Sequence, residues 1–290
     1  MNVAINPRTP PLRHDTGIEN YFCGHDGVGL NRDGEDGAAF ARFKGLTLRS
    51  VFQPILDPRT HQPVAFEALL RATDADGSPL APPDAFARPQ GADIVTFDRL
   101  CRTVHALNFA RQARAGDTLF LNVDARHLLS VGGGHGAAFE ALLAQCGLSP
   151  SRVVLEILES GIDDLGHLAV AVEAYQRRGY RIALDDFGCR HSNFDRLWHL
   201  TPDIVKLDRS LIEQATHNRR ARLILPRLVE IIHSLGAQAV CEGIETADQH
   251  QLAADAGADL VQGYHYARPA PVLRDTPLAP PGRGAREARG

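Results

Sequence analysis

Eight short apolar runs punctuate the chain: RSVFQPIL at 49–56, VAFEALL at 64–70, TLFLNV at 118–123, VVLEIL at 153–158, RIALDD at 181–186, DIVKLD at 203–208, QAVCEG at 238–243 and LVQGY at 260–264. Their cores are almost continuously apolar, the pattern of strands buried on both faces. The segments between them, such as 93–114, 163–179 and 219–236, carry apolar residues at three- and four-residue spacing and often end near glycine, which predicts amphipathic helices. Strand and helix alternate, so an α/β fold with a parallel sheet follows. A doubly wound sheet and a closed (β/α)8 barrel both satisfy that order. Eight strands within about 220 residues match the pitch of the barrel. No glycine-rich phosphate-binding turn follows any strand, and the barrel is the expected fold. The first two runs are joined only by DPRTHQP, too short for a helical crossover, which predicts an antiparallel hairpin.

The barrel accounts for residues 46–272. Residues 1–45, rich in Pro, Gly, Asp and Asn, read as a partly irregular N-terminal arm, and 273–290 as a flexible C-terminal tail. The acidic stretch 31–37 lacks the ligand spacing and closing Glu of an EF-hand. A net charge of -4 leaves no basic excess for duplex nucleic acid or anionic lipid. Five scattered cysteines without a CxxC pair form neither a disulfide framework nor a zinc ribbon and suit a reducing cytoplasm. The N-terminus has no signal-peptide core, and no apolar run approaches the ~18 residues of a membrane span. A soluble cytoplasmic protein is expected.

Candidate chemistry gathers at one end of the strands. Glu67, Asn122, Glu156, Asp185, Lys206, Glu242 and Gln262 each stand near the C-terminal end of a different run, and in a (β/α)8 barrel those ends form the mouth where sites are built. A single acid at a strand end is most often a helix cap or half of an ion pair; seven such placements are harder to explain that way. Glu67, Glu156, Asp185, Asp186 and Glu242 around one lysine would repel one another without cations between them. All-oxygen donors suit Mg2+ or Mn2+ better than Zn2+. The adjacent Asp185 and Asp186 can serve two metals about 3.5–4 Å apart, an arrangement that hydrolyses phosphate esters. Lys206 would position or activate the attacking water, or stabilise charge on the phosphoryl oxygens. A Schiff-base role for Lys206 is the competing chemistry, disfavoured because the surrounding acids hold the amine protonated.

FQPI at 52–55, EALLR at 67–71, LNV at 121–123, LEILE at 155–159, DDFG at 185–188, DIVKLD at 203–208, CEGIET at 241–246 and QGYHYARP at 262–269 together resemble the EAL family of bacterial cyclic di-GMP phosphodiesterases, in its order and spacing. The resemblance implies a modified TIM barrel with an antiparallel first strand, and hydrolysis of cyclic di-GMP to linear 5'-pGpG by a water activated by two divalent cations. It implies metal binding by Glu67, Asn122, Glu156, Asp185, Asp186 and Glu242, and catalysis by Lys206, Glu242 and Glu67. Substrate contacts fall to Gln53, Leu69, Arg71, Asp208 and Gln262, and Glu159 anchors the loop after 181–186. A homodimer is also implied. The chain departs from the family pattern in two places: DDFGCRHSNF stands where DDFGTGYSSL is usual, and Leu158 replaces a Thr. Arg190 in place of Gly removes a residue that takes positive φ at little cost. An alternative therefore stands beside the enzyme, an EAL-type receptor that binds cyclic di-GMP or a protein partner without cutting. Trp198 and Phe194 either pack the helix after that loop or form a dimer contact.

Overall fold

A computed structural model of the chain describes residues 18, 22, 27–34, 37–130, 136–158, 164–189 and 194–273. Its strands are β1 (Val28–Arg32), β2 (Ala39–Phe43), β3 (Leu46–Leu56), β4 (Pro63–Thr73), β5 (Pro79–Leu80), β6 (Thr118–Val123), β7 (Val153–Leu158), β8 (Arg181–Phe187), β9 (Ile204–Leu207), β10 (Gln238–Cys241) and β11 (Leu260–Val261). Strands β3, β4 and β6 to β11 pair in sequence, and β11 returns to β3 through Val261 opposite Leu56. The sheet is thereby a closed eight-stranded barrel. Every neighbouring pair in it is parallel except those of β3, which runs antiparallel to both β4 and β11. The short turn after β3 forces this reversal.

Alternation of side chains along each strand divides the apolar residues between two cores. Ile55, Ala65, Phe120, Val154, Ala183, Ile204 and Val240 form a separate buried cluster with the partly buried Leu260 packed against it, one residue from each barrel strand. They plug the interior. Their neighbours Leu119, Leu121, Leu155, Ile182, Leu184, Val205 and Ala239 point outward into the main core, with Leu143 of the helix Ala137–Gln145, Leu168 of Leu165–Gln176 and Val229 of Arg219–Ser234. Each fully buried Leu, Ile, Val or Phe contributes about 1.5–3 kcal/mol.

Within the stretch read as a partly irregular N-terminal arm, residues 28–43 carry regular structure. Strands β1 and β2 form an antiparallel hairpin, and β2 pairs with the start of β3, Ala41 opposite Leu48 and Phe43 opposite Leu46. Ala39, Ala41 and Phe43 alternate inward. Ala41 and Phe43 join Phe22, Leu46, Leu48, Leu70 and Ala72 in a second core against Phe97, Leu100 and Val104 of the helix Asp93–Ala110, whereas Ala39 belongs to the main core. This core exists because β3 and β4 are eleven residues each and overrun the barrel rim. The tail reading for 274–290 lies outside the described residues.

Candidate functional site

Two residues beyond the apolar plug, on the same inward face, each strand presents a polar side chain. Ala65 is followed by Glu67, Phe120 by Asn122, Val154 by Glu156, Ala183 by Asp185, Ile204 by Lys206, Val240 by Glu242 and Leu260 by Gln262. On β3, which runs the other way, Gln53 precedes Ile55 by two and lies opposite Glu67. The seven residues read from the sequence thus form one ring, and Gln53 is its eighth member.

Strand β8 carries an irregularity that enlarges the ring. Leu184 pairs with Val205 but Phe187 with Leu207, one extra residue on β8. This is the signature of a β-bulge, which re-aims side chains. Asp186 absorbs the distortion with φ 55°, a left-handed conformation that Asp tolerates better than most residues. Consecutive carboxylates consequently meet on one side: Asp185, Asp186 and Glu242 each offer an oxygen within 4.8 Å of the others.

Lys206 is the hub. Its Nζ lies 2.6 Å from Glu156 Oε1, 2.7 Å from Glu242 Oε1, 3.0 Å from Asp185 Oδ1 and 3.7 Å from Glu67 Oε2. Burial alone would push the ammonium's pKa down; the charges of Asp185, Glu156, Glu242 and Glu67 outweigh it and hold the group well above its ordinary value. One positive charge for four carboxylates leaves the site short of cations. Burial, aided by the charge of Glu67, pushes Glu156 well above the carboxylate range. Burial likewise raises Glu242 to about 8, and Asp186 to about 6 with help from Asp185.

The donor set fits hard divalent ions. Among the described residues, both oxygens of the fully buried Glu156 and Asp185 Oδ1 make no hydrogen bond of acceptable geometry, although two of these oxygens sit within 3.0 Å of the ammonium. Buried oxygens of this kind are normally satisfied by a partner or a metal. Glu67 is fixed from both sides, accepting from Asn122 Nδ2 at 3.1 Å and from Gln262 Nε2 at 2.8 Å. Gln53 Nε2 donates to the carbonyl of Ala267 at 3.3 Å.

Above the ring opens a cavity of about 300 Å3 lined by Gln53, Glu67, Asp185, Asp186, Lys206, Glu242 and Gln262. Arg209, Glu245 and Tyr264 also line it, and sequence reasoning missed all three. Three expected substrate residues lie differently from the ring. Arg71 sits four residues beyond Glu67 on the same strand face, exposed, with Nη1 donating to the carbonyl of Leu70 at 2.9 Å; Leu69 is half-buried between them. Asp208 caps the helix Arg209–His217, accepting from the Ser210 amide at 3.0 Å. Neither Arg71, Leu69 nor Asp208 is among the cavity-lining residues. Glu159 and the variant positions Arg190, His191 and Asn193 lie outside the described residues, as does the side chain of Leu158. Trp198 is 58% exposed on the helix Asp195–Leu200, whereas Phe194 sets its ring edge-on against Phe187 at 5.2 Å.

Comparison with known proteins agrees with this architecture. A family model described as EAL domain matches residues 39–269. An uncharacterized protein of Azorhizobium caulinodans is 30% identical over 247 residues, 80% of this chain and 33% of that protein. The cyclic di-GMP phosphodiesterase RocR of Pseudomonas aeruginosa is 34% identical over 134 residues, 45% of this chain and 34% of RocR. The chain therefore spans about a third of the length of these relatives. Among solved structures, Klebsiella pneumoniae BlrP1 in a calcium and cyclic di-GMP complex superposes with a TM-score of 0.70 at 25% identity, covering 77% of this chain and 56% of BlrP1. The PaMucR phosphodiesterase in complex with cyclic di-GMP gives 0.68 at 25% identity, covering 77% of this chain and 92% of that one. A TIM-like barrel closed through an antiparallel strand, with EALLR entering its mouth on β4 and the family match running over most of the chain, establishes that this protein belongs to the EAL domain family.

Proposed function

We propose that the chain hydrolyses cyclic di-GMP to linear 5'-pGpG. The observation that carries the proposal is the ring itself, four carboxylates converging on one buried ammonium beside a bulged Asp185–Asp186 pair. Glu67, Asn122, Glu156, Asp185, Asp186 and Glu242 would hold two divalent cations, Mg2+ or Mn2+, which when bound lower the pKa of water and polarise a phosphoryl oxygen. Lys206 stands beside four of those side chains, where its positive charge stabilises the negative charge that builds on the phosphoryl oxygens. Gln262 and Asn122 orient Glu67 from opposite sides, and Gln53 lines the floor of the substrate cavity. Arg71 and Leu69 extend the same strand outward, where Arg71 meets a substrate phosphate arriving from solvent.

The relatives support the substrate assignment: RocR is a cyclic di-GMP phosphodiesterase, and BlrP1 and PaMucR were solved with that dinucleotide. A homodimer and a cytoplasmic location belong to the same proposal. The exposed Trp198 supports the first, and the buried thiols of Cys101 and Cys241 suit the reducing compartment. No helix among the described residues is long and apolar enough to cross a membrane. The test is incubation of purified protein with cyclic di-GMP and Mg2+ or Mn2+, followed by chromatography. Accumulating pGpG is the expected result. Binding without product would make the chain a receptor.

A further inference from the structure

The cavity holds two cations of different standing. Lys206 is buried and committed to the four carboxylates described above. Arg209, the first residue of the helix Arg209–His217, lies higher, with its side chain 57% exposed. Its nearest charge partners are loose: Nη1 is 3.4 Å from Glu245 Oε1, and Nε is 3.9 Å from Glu213 Oε2. The backbone fixes its base. Asp208 caps the helix it begins, and a Cβ on Gly243 would come within 2.2 Å of the Arg209 Cβ, so the loop after β10 lies directly against it. The guanidinium is thus anchored at its root, held at its head only by these two long contacts, and placed on the wall of the same cavity as Asp185, Asp186 and Glu242.

This inference rests on the proposed function. Cyclic di-GMP carries two phosphodiesters, and only one is cut at a time. The uncut phosphate brings a negative charge into a cavity already lined by Glu67, Asp185, Asp186, Glu242 and Glu245. That charge needs a cation outside the Lys206 cluster. Among the described residues lining the cavity, Arg209 is that cation. We infer that Arg209 binds the uncut phosphodiester of the substrate, exchanging its weak contact with Glu245 for a charge-assisted pair with phosphate. A planar guanidinium presents paired donors to phosphate oxygens, which a lysine at this place would not match.

The test compares wild type, Arg209→Gln and Arg209→Lys on two probes. Cyclic di-GMP has the second phosphate, whereas bis(p-nitrophenyl) phosphate has a single one. Binding of cyclic di-GMP is measured by calorimetry in Ca2+, and turnover of both probes in Mn2+. The expected result for Arg209→Gln is cyclic di-GMP affinity weakened about 10- to 100-fold, with the rise appearing in KM rather than kcat and hydrolysis of the single-phosphate probe unchanged. Arg209→Lys recovers part of the loss. Equal loss on both probes, or no loss on either, overturns the inference. Wild type that binds cyclic di-GMP without cutting it refutes the hydrolase reading but leaves the binding comparison decisive for Arg209. Wild type that does not bind it at all refutes both.

Discussion

Replacing Lys206 with Met isolates the electrostatic problem at the centre of the barrel. Met retains an unbranched, apolar side chain of similar length and removes the one charge that four carboxylates share at 2.6–3.7 Å. Glu156 and Lys206 are 0% and 1% exposed, so solvent does little to screen the loss. Removing one partner of a buried pair costs about 3–5 kcal/mol. For a domain of this size, each kcal/mol lowers the melting temperature by about 2–4 °C, so Lys206→Met in EDTA should melt about 6–20 °C below wild type. Saturating Mn2+ supplies the missing positive charge, and the variant should recover more stability from the metal than wild type does. Turnover should fall in the same variant although metal binding persists, because the charge that stabilises the phosphoryl oxygens is gone. Calorimetric melting with EDTA and with Mn2+, on both proteins, measures the stabilities, and chromatography of pGpG measures the turnover. Equal melting in EDTA, or a smaller metal-induced rise in the variant, would show that Lys206 does not neutralise the ring.

Glu67→Ala should behave in the opposite sense, because it removes the acceptor of both Asn122 and Gln262: Mn2+ affinity and turnover are expected to drop together by at least about 100-fold, and unchanged metal affinity would contradict the assignment. Gly263→Ala places a Cβ 2.0 Å from the backbone oxygen of Ile244 and 2.3 Å from its nitrogen; overpacking of this kind costs about 1–3 kcal/mol, and it should displace Gln262 and lower activity even at temperatures where the fold persists. A folded, fully active variant would argue against the close approach. Acid stability is governed in part by His105, which shares a 2.7 Å hydrogen bond with Ser50 and is pushed by burial from 6.5 to about 4. A histidine lowered on folding contributes stability that is present above pH 6.5 and lost as pH falls toward 4, about 3 kcal/mol in all. The unfolding free energies of wild type and His105→Asn should therefore converge by about 2 kcal/mol between pH 7 and pH 4.5, and parallel pH curves would refute it.

The barrel was legible because its strands are buried on both faces, and the ring was legible because every member ends an apolar run on the inward register. Glu67 after Ala65, Lys206 after Ile204 and Gln262 after Leu260 obey one period-two rule. Gln53 obeys it in reverse, and only its motif brought it forward, since the direction of β3 had first to be known. The hairpin of β1 and β2 was not legible. AFARF at 39–43 alternates correctly, but it lies between Gly37 and Gly45, and one of its pairing partners is the part of β3 that overruns the rim, a feature of tertiary structure.

Residues beyond the strand ends reached the site by another route, and this explains why Arg209, Glu245 and Tyr264 escaped a reading based on polar residues at strand ends. The loops after β10 and β11 enter the mouth where backbones approach more closely than a Cβ permits. A Cβ at Gly243 would strike Arg209, and one at Gly263 would strike Ile244. The Ile244 amide donates to the carbonyl of Gln262 at 3.0 Å, and the His265 amide donates to the carbonyl of Ile244 at 2.9 Å, which ties the two loops across the rim. The available signal was therefore the glycine directly following each polar strand end, in Glu242–Gly243 and Gln262–Gly263, rather than the charged residues themselves. A glycine required for close approach marks where a neighbouring segment must touch: Glu245 and Tyr264 are carried by those loops, and Arg209 begins the helix against which Gly243 packs.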